Sequence, residues 1–282
     1  MTIEMKTMQV LAPAKINLFL RVLGIRDDGF HEIETLISPI SLSDELALEK
    51  QNRWIDFSCD DATIPHGDDN LVMRAAKLFF ETTQLKGGVS IALQKNIPHG
   101  AGLGGGSSDA ASTLIGLNQL FETKLPREAL AKMGEKLGSD VPFFIFESAA
   151  ICKGRGELVL ADPLREKLAL MLFKPSFGVP TAWAYSRWKN SSRISGIRYE
   201  PQQFGGFTFT NDLERPVFEK FVFLAELKTW LLDQPEVGVA LMSGSGSTVF
   251  AVMKGGSDAN LVAQRALDQL DPELWTCISE TR

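Results

Sequence analysis

Cysteine and histidine are scarce in this 282-residue sequence, with three of each. Cys59, Cys152 and Cys277 lie far apart, are odd in number and form no C-x-x-C. That suggests neither a disulfide framework nor a zinc site, and fits a protein of the reducing cytoplasm. His31, His66 and His99 show no metal-ligand spacing, and no motif names a metal ligand. No run approaches the ~18 uncharged apolar residues of a membrane helix. The opening MTIEMKTMQV lacks the apolar stretch and cleavage pattern of a signal peptide. Positive charge is not in excess either: the net charge is −6, which offers nucleic acid or an anionic membrane no general attraction. No feature calls for an obligate protein partner. What remains is ordinary, 44% hydrophobic and 23% charged, and longer than one core usually serves.

Glycine is distributed unevenly. Gly100, Gly102, Gly104, Gly105 and Gly106 fall within seven positions of PHGAGLGGGSSDAAS, Pro98 to Ser112. Such a stretch can adopt positive φ and bring its backbone close to a ligand. Val89 to Ile97 before it alternates as a strand; Ser107, Ser108 and Asp109 are good helix starters, and AASTLIGLNQLF after them reads as a helix. A bare loop that feeds a helix N-terminus binds anions through amide N–H groups and the helix dipole, so a phosphate is the expected ligand. No lysine follows the glycines, which rules out the G-x-x-x-x-G-K-[ST] loop. The dinucleotide string G-x-G-x-x-G fits Gly100, Gly102 and Gly105. Its acidic partner is misplaced, since Glu122 ends a helix and a hundred residues precede the loop. A third pattern, P-x-x-x-G-L-G-[SG]-S-[SA]-A, matches over a longer stretch. A valine at Gly104 or Gly105 is expected to stand where phosphates approach and to leave the fold intact.

The rest of the chain reads as α+β. Strand-like runs cover Gln9 to Leu11, Ile16 to Leu23, Glu32 to Ile40, Glu45 to Glu49 and Trp54 to Ser58. Asn70 caps a helix whose apolar face holds Leu71, Ala75, Leu78 and Phe79, and Pro126 opens another that stops at Gly138. A strand pair turns at Gly154-Arg155-Gly156, and Asp162-Pro163 marks a boundary between domains 1–161 and 162–282. Beyond it come a strand at Leu168 to Phe173, a short helix from Pro180, and a patternless loop over residues 189–209. A single helix is expected from Asn211-Asp212 to Leu232. Two strands follow, joined by Ser243-Gly244-Ser245-Gly246-Ser247, then a helix capped by Asp258 and a closing strand. Strands with interspersed helices and no regular βαβ alternation argue for α+β in two domains.

Two residues stand out chemically. Lys15 lies in an otherwise apolar strand, where an ammonium is expensive unless paired. Asp140 follows a glycine turn, is flanked by apolar residues and is pinned by Pro142. Phosphoryl transfer needs charge compensation and a group to orient or deprotonate a hydroxyl, and the two side chains suit those roles. The competing readings are a snorkelling lysine and a helix-capping aspartate. Asn17 shares a strand face with Lys15 and could meet the substrate or Asp140.

The third glycine pattern resembles that of the GHMP kinase superfamily. So do PAKINLFLRVLGIRDDGFHEIET, DDNLVMRAA, GSDVPFF and LMSGSGSTVFA, in the same order along nearly the whole chain. The G-E-H segment of mevalonate and sugar kinases is absent. The resemblance implies a two-domain GHMP kinase fold with the active site in the cleft between domains. It implies ATP as co-substrate, with Mg2+ expected because nucleotide charge must be compensated, and a small alcohol bearing a diphosphocytidyl group. Pro98, Gly100, Ala101, Gly102, Leu103, Gly104, Gly105, Gly106, Ser107 and Ser108 would then hold ATP, with Asn70 and Lys95 near the nucleotide. For these last two, helix capping and a solvated strand end are the alternatives. Lys15 and Asp140 would meet beside the reacting hydroxyl. Phe30, His31 and Tyr185 would clamp the cytosine, though relatives often carry tyrosine where Phe30 stands; Asn17, Thr181, Gly244 and Ser245 would border the substrate. Another small-alcohol kinase and a non-catalytic nucleotide-binding protein on the same fold remain alternatives. An NAD-dependent oxidoreductase rests on the short glycine string alone.

Overall fold

The computed structural model describes residues 7–282; residues 1–6, part of the opening segment read for a signal peptide, lie outside the described residues. Two long strands, β1 (Thr7–Ile25) and β2 (His31–Gln51), form an antiparallel ribbon turned at Gly29, whose φ of 82° suits glycine. Four of the separate runs expected there merge into these two. Register shifts between Pro13 and Lys15, Asn17 and Phe19, and Val22 and Gly24 absorb the interruptions without ending the strand. Bulges of this kind re-aim side chains, and two of them bracket Lys15 and Asn17.

The ribbon is the middle of a sheet that runs β3-β4-β2-β1-β9-β8. Here β3 (Ile55–Cys59) pairs parallel with β4 (Gly88–Gln94), while β5 (Ala150–Gly154) and β6 (Leu158–Ala161) extend from the other end of β2. Helices α1 (Leu71–Thr83), α2 (Gly105–Leu120), α3 (Arg127–Glu135) and α4 (Val141–Phe146) cover it. Their core joins Leu46, Leu48 and Ile91 of the sheet to Phe79, Leu114, Leu117 and Phe143. The buried face of α1 is Val72, Ala75, Ala76 and Phe79. It is turned slightly from the expected one, because α1 packs against both β3 and α2.

A second sheet, antiparallel in the order β10-β11-β7-β12, is built from β7 (Ala169–Lys174), β10 (Val237–Met242), β11 (Val249–Met253) and β12 (Trp275–Glu280). The α+β reading holds. The two sheets share an apolar layer in which Ile16, Leu18, Leu36 and Ile40 meet Leu170, Leu172, Leu241 and Phe250. Helices α5 (Thr181–Arg187), α6 (Glu214–Lys220), α7 (Val222–Leu232) and α8 (Ala259–Gln269) complete the second half. Among the described residues no helix is long and apolar enough to cross a membrane.

Two expectations fail in residues 189–232. The stretch read as loop contains a hairpin, β8 (Gln202–Phe204) and β9 (Phe207–Asn211), and β9 joins the first sheet parallel to β1. These strands are too short for alternation to register, although Gly205-Gly206, with φ of 56° and 77°, is a hairpin signal. The single helix expected up to Leu232 is two. It starts only at Glu214, because Asn211 and Asp212 are used elsewhere: Asn211 Nδ2 donates to the carbonyls of Met242 and Gly244 (2.7 and 2.8 Å), and Asp212 accepts from Val22 N at 2.9 Å. It breaks at Phe221, whose ring stacks on Phe177 at 5.4 Å.

A buried pair ties this region together. Lys228 Nζ donates to Glu214 at 2.6 Å and to the Arg198 carbonyl at 2.7 Å, while Glu214 also accepts from Met242 N at 3.0 Å. Lys228→Met strands a buried carboxylate and is expected to lower unfolding free energy by about 3–5 kcal/mol. The double variant Glu214→Leu/Lys228→Met should recover most of that loss; chemical denaturation measures both.

Candidate active site

The sheets and helices leave a cavity of about 870 Å³ between the two halves of the chain. Its floor is the glycine loop. Gly100, Gly102 and Gly104 have φ of 65°, 75° and 73°, and α2 begins at Gly105 with the left-handed Gly104 at its N-cap. The helix therefore starts two residues earlier than the serines suggest. Gly105, Gly106 and Ser107 form its first turn, whose amides have no partner within a helix, and the positive end of the dipole lies there. This earlier start also corrects Ser108. At about 100° per residue it turns inward, is fully buried with its Oγ unpartnered, and does not line the cavity. Every other residue expected in the site lines it.

The glycines do different things. A Cβ at Gly104 would come within 2.8 Å of the Phe144 ring and 3.1 Å of Lys15 Cγ, and one at Gly105 would meet Ile97 at 3.1 Å and Lys95 Nζ at 3.3 Å. Both would point into the protein, so the expectation that valine there leaves the fold intact is corrected. Gly106 is exposed, and a Cβ there would meet only Leu71, at 3.7 Å.

The second glycine turn, residues 243–246, locks onto the first. Thr248 N donates to the Ala101 carbonyl at 3.1 Å, and Ser243 Oγ to that of Gly102 at 3.1 Å. A Cβ at Gly102 would overlap the Ser243 carbonyl and stand 2.7 Å from that of Gly246. Gly244, at φ 57°, leaves room for the Lys15 ammonium: a Cβ there would be 3.0 Å from Nζ. The turn is buried and pinned, and Ser245 Oγ meets Thr181 Oγ1 at 2.9 Å.

Lys15 is buried, and so is Asn17 beside it. The ammonium donates to Asn17 Oδ1 at 2.6 Å, and Asn17 Nδ2 donates to Thr35 Oγ1 at 2.9 Å, which donates on to the Phe19 carbonyl. Asn17 is thus spoken for, and Lys15 forms no direct ion pair with Asp140, contrary to the implied pairing. Asp140 acts on it through space. Burial lowers the lysine pKa; Asp140, and after it the Cys152 thiol behind them, work against that fall. The Cys152 thiol itself is pushed up to about 12, chiefly by burial. Asp140 occupies the N-cap position of α4, yet its side chain makes no capping bond. Its carboxylate faces the cavity, held there by the short helix.

At the far end His31 and Tyr185 lie with ring centroids 5.2 Å apart, and Trp188 abuts His31 edge-on at 6.1 Å. Burial first, and the charge of Asp140 second, raise the Tyr185 hydroxyl pKa far above its usual value. Phe30 is 51% exposed and lies under the Arg155 guanidinium, 4.7 Å from its ring centre. Sequence reasoning missed Arg155 as a site residue; a cation between two glycines was the available signal.

Lys95 is no solvated strand end. Its ammonium is held by Asp44 and by Asp109, the latter at 2.9 Å, with its side chain 8% exposed. Neither carboxylate stood out in the sequence, since they lie 65 residues apart and only folding joins them. Asn70 does cap α1: its Oδ1 accepts from Val72 N at 2.7 Å and its Nδ2 donates to the Pro65 carbonyl at 2.7 Å. Among the described residues no group of three or more His, Cys, Asp or Glu side chains is placed to hold a metal ion.

Residues 70–148 match the model of the GHMP kinases N terminal domain, and residues 202–271 that of the GHMP kinases C terminal. The 4-diphosphocytidyl-2-C-methyl-D-erythritol kinase of Methylacidiphilum infernorum (isolate V4) is 40% identical over 275 residues, 95% of each chain. That of Acetivibrio thermocellus is 36% identical, covering 97% of this chain and 98% of its own. A crystal structure of 4-(cytidine 5'-diphospho)-2C-methyl-D-erythritol kinase superposes with a TM-score of 0.78 at 35% identity, over 97% of this chain and 99% of that one. A homoserine kinase from Cytophaga hutchinsonii, at 19% identity and a TM-score of 0.72 over 98% and 94% of the two chains, shares the fold.

The two kinds of glycine should separate by mutation. Gly104→Val is expected to lower stability by at least the roughly 1–3 kcal/mol of a non-glycine residue in the left-handed region. Gly106→Val should leave stability within about 0.5 kcal/mol, as a surface change does, and abolish nucleotide binding. Thermal unfolding and a fluorescent-nucleotide titration on both variants decide this.

Proposed function

This chain belongs to the 4-diphosphocytidyl-2-C-methyl-D-erythritol kinase family of the GHMP kinases, and from that premise we propose its reaction and the residues that carry it. It transfers the γ-phosphoryl group of ATP to the 2-hydroxyl of 4-diphosphocytidyl-2-C-methyl-D-erythritol, in the non-mevalonate synthesis of isoprenoid precursors. One observation carries the residue assignment: Lys15 and Asp140 face one cavity that glycine turns from both halves of the chain border.

The triphosphate lies over the first turn of α2, where bare amides and the dipole meet its charge. The substrate hydroxyl enters between Asp140 and Lys15. The lack of a direct ion pair leaves that space to the reacting group. Asp140 takes the hydroxyl proton as it attacks, and Lys15, locked by Asn17 and Thr35, stabilises charge on the moving phosphoryl oxygens. Mg2+ would accompany ATP and offset phosphate charge; with no cluster of three or more His, Cys, Asp or Glu side chains among the described residues, the phosphates and a single carboxylate of the cavity wall such as Asp140 would hold it. At the other end His31 reads the cytosine edge, Phe30 and Tyr185 supply aromatic faces, and Arg155 offers a cation to the diphosphate. Thr181, Gly244 and Ser245 border the alcohol. Asn70 and Lys95 shape the nucleotide pocket while serving as cap and buried ion pair. Three unpaired cysteines agree with a cytoplasmic location.

The test is ADP release from ATP with a panel of alcohols. Turnover confined to other alcohols removes the substrate assignment, and none with any of them removes the kinase reading. Asp140→Asn and Lys15→Met are each expected to lower turnover by at least about 10²-fold, the usual loss for a general base or charge clamp, with ATP affinity little changed.

The base clamp has its own test. Base stacking contributes about 1–3 kcal/mol, so His31→Ala and Tyr185→Ala should each raise KM for the cytidyl substrate about tenfold or more and leave KM for ATP unchanged. A uridine analogue should be rejected, because it presents a carbonyl acceptor where cytidine has an amino donor. Equal use of both analogues would remove the cytosine clamp.

A further inference from the structure

Three charges meet beneath the start of α2. Lys95 Nζ lies between Asp44 and Asp109 and is 3.3 Å from where a Cβ of Gly105 would stand, directly under the glycine loop. One ammonium faces two carboxylates, so the cluster carries one excess negative charge when both are ionised. The two acids are not equivalent. Asp44 accepts from the backbone N–H of Asn96 at 2.6 Å and of Ile97 at 2.8 Å in addition to Lys95. It therefore has three hydrogen-bond donors. Asp109 has Lys95 alone; its Oδ1 is, among the described residues, the only buried carboxylate oxygen without a donor. Both carboxylates accept from the same ammonium, which brings the two acids together.

We propose that ATP binding draws a proton onto Asp109, which makes this residue a proton-linked positioning group of the nucleotide subsite. The inference rests on the nucleotide reading above. As the polyphosphate settles on the first turn of α2, a second anion beneath that turn becomes costly, and the ionised form of Asp109 is disfavoured. A proton from solvent goes to Oδ1, the oxygen that has no donor, and Lys95 is left with one anionic partner. The cluster is then neutral, and its excess negative charge no longer opposes the phosphates. Burial, with Asp44 adding to it against the opposing pull of Lys95, already raises the Asp109 pKa to about 7 in the free protein. Lys95 after β4 and Asp44 of β2 are the charged groups that act on it. Lys15 of β1, Asp140 before α4 and His99 of the loop share the cavity wall. The sign follows from linkage. Binding takes up a proton, so ATP affinity weakens as pH rises above about 7, by at most about tenfold per pH unit.

The experiment is calorimetric titration of the whole protein with ATP, without alcohol, at pH 8 in buffers of different ionisation enthalpy. Phosphate groups, with a second pKa of about 6, are already ionised there, so proton uptake reports the protein. The expected result is uptake of about half to one proton per site. Uptake should vanish in Asp109→Asn while ATP still binds, and persist in His99→Gln. Binding without uptake, uptake retained in Asp109→Asn, or uptake lost in His99→Gln each overturns the proposal and leaves the nucleotide reading standing. Failure of the wild-type protein to bind ATP overturns both. The wild-type and His99→Gln titrations decide the matter whether or not Asp109→Asn folds.

Discussion

The closeness of two glycine turns is the constraint on which the site depends. The carbonyls of Ser243 and Gly246 occupy the space where a side chain at Gly102 would stand, and Thr248 and Ser243 bond to the carbonyls of Ala101 and Gly102. The glycine loop and the C-terminal turn are therefore one packed unit. Because Leu103 accepts from Lys15 N at 2.9 Å, the same unit fixes the height of the lysine in its strand. Gly244 then leaves just enough room for the ammonium. The apolar layer between the sheets keeps the two turns in place from behind.

Charge is distributed in the cavity with a clear division. Lys15 is buried with a neutral hydrogen-bond partner, Asn17, so its field is not cancelled on contact and reaches the space before Asp140. Lys95, under the loop, is over-compensated by two carboxylates. The first arrangement suits the role proposed for Lys15, stabilising charge that develops during reaction. The second adjusts to charge that arrives with a ligand. Both use the low effective dielectric of a buried site, where a change of one charge matters far more than in water.

Aromatic residues set the third corner. His31 is oriented by Tyr185 and Trp188, which come from the second half of the chain, while Phe30 and Arg155 belong to the first. A ligand that touches all of them must lie across the boundary between halves, as the glycine turns also require.

Much was legible in the sequence because it is local. Glycine density and the helix behind it foretold a left-handed loop that feeds a helix N-terminus. The Asn70 and Asp258 caps, the β10–β11 turn and the aromatic helix after Pro180 likewise follow from neighbours in the chain. The fold decided what depends on partners distant in sequence. The β8–β9 hairpin exists because β1 offers it an edge, and the expected long helix is delayed because Asn211 and Asp212 are drawn to Met242, Gly244 and Val22. Whether a glycine faces ligand or core, that Lys15 bonds Asn17 instead of Asp140, and that Lys95 has two acids against it are likewise matters of long-range packing. Sequence determines which groups are available and their local geometry; burial and the approach of remote segments determine their charge and direction, because those depend on distances that only the folded chain defines.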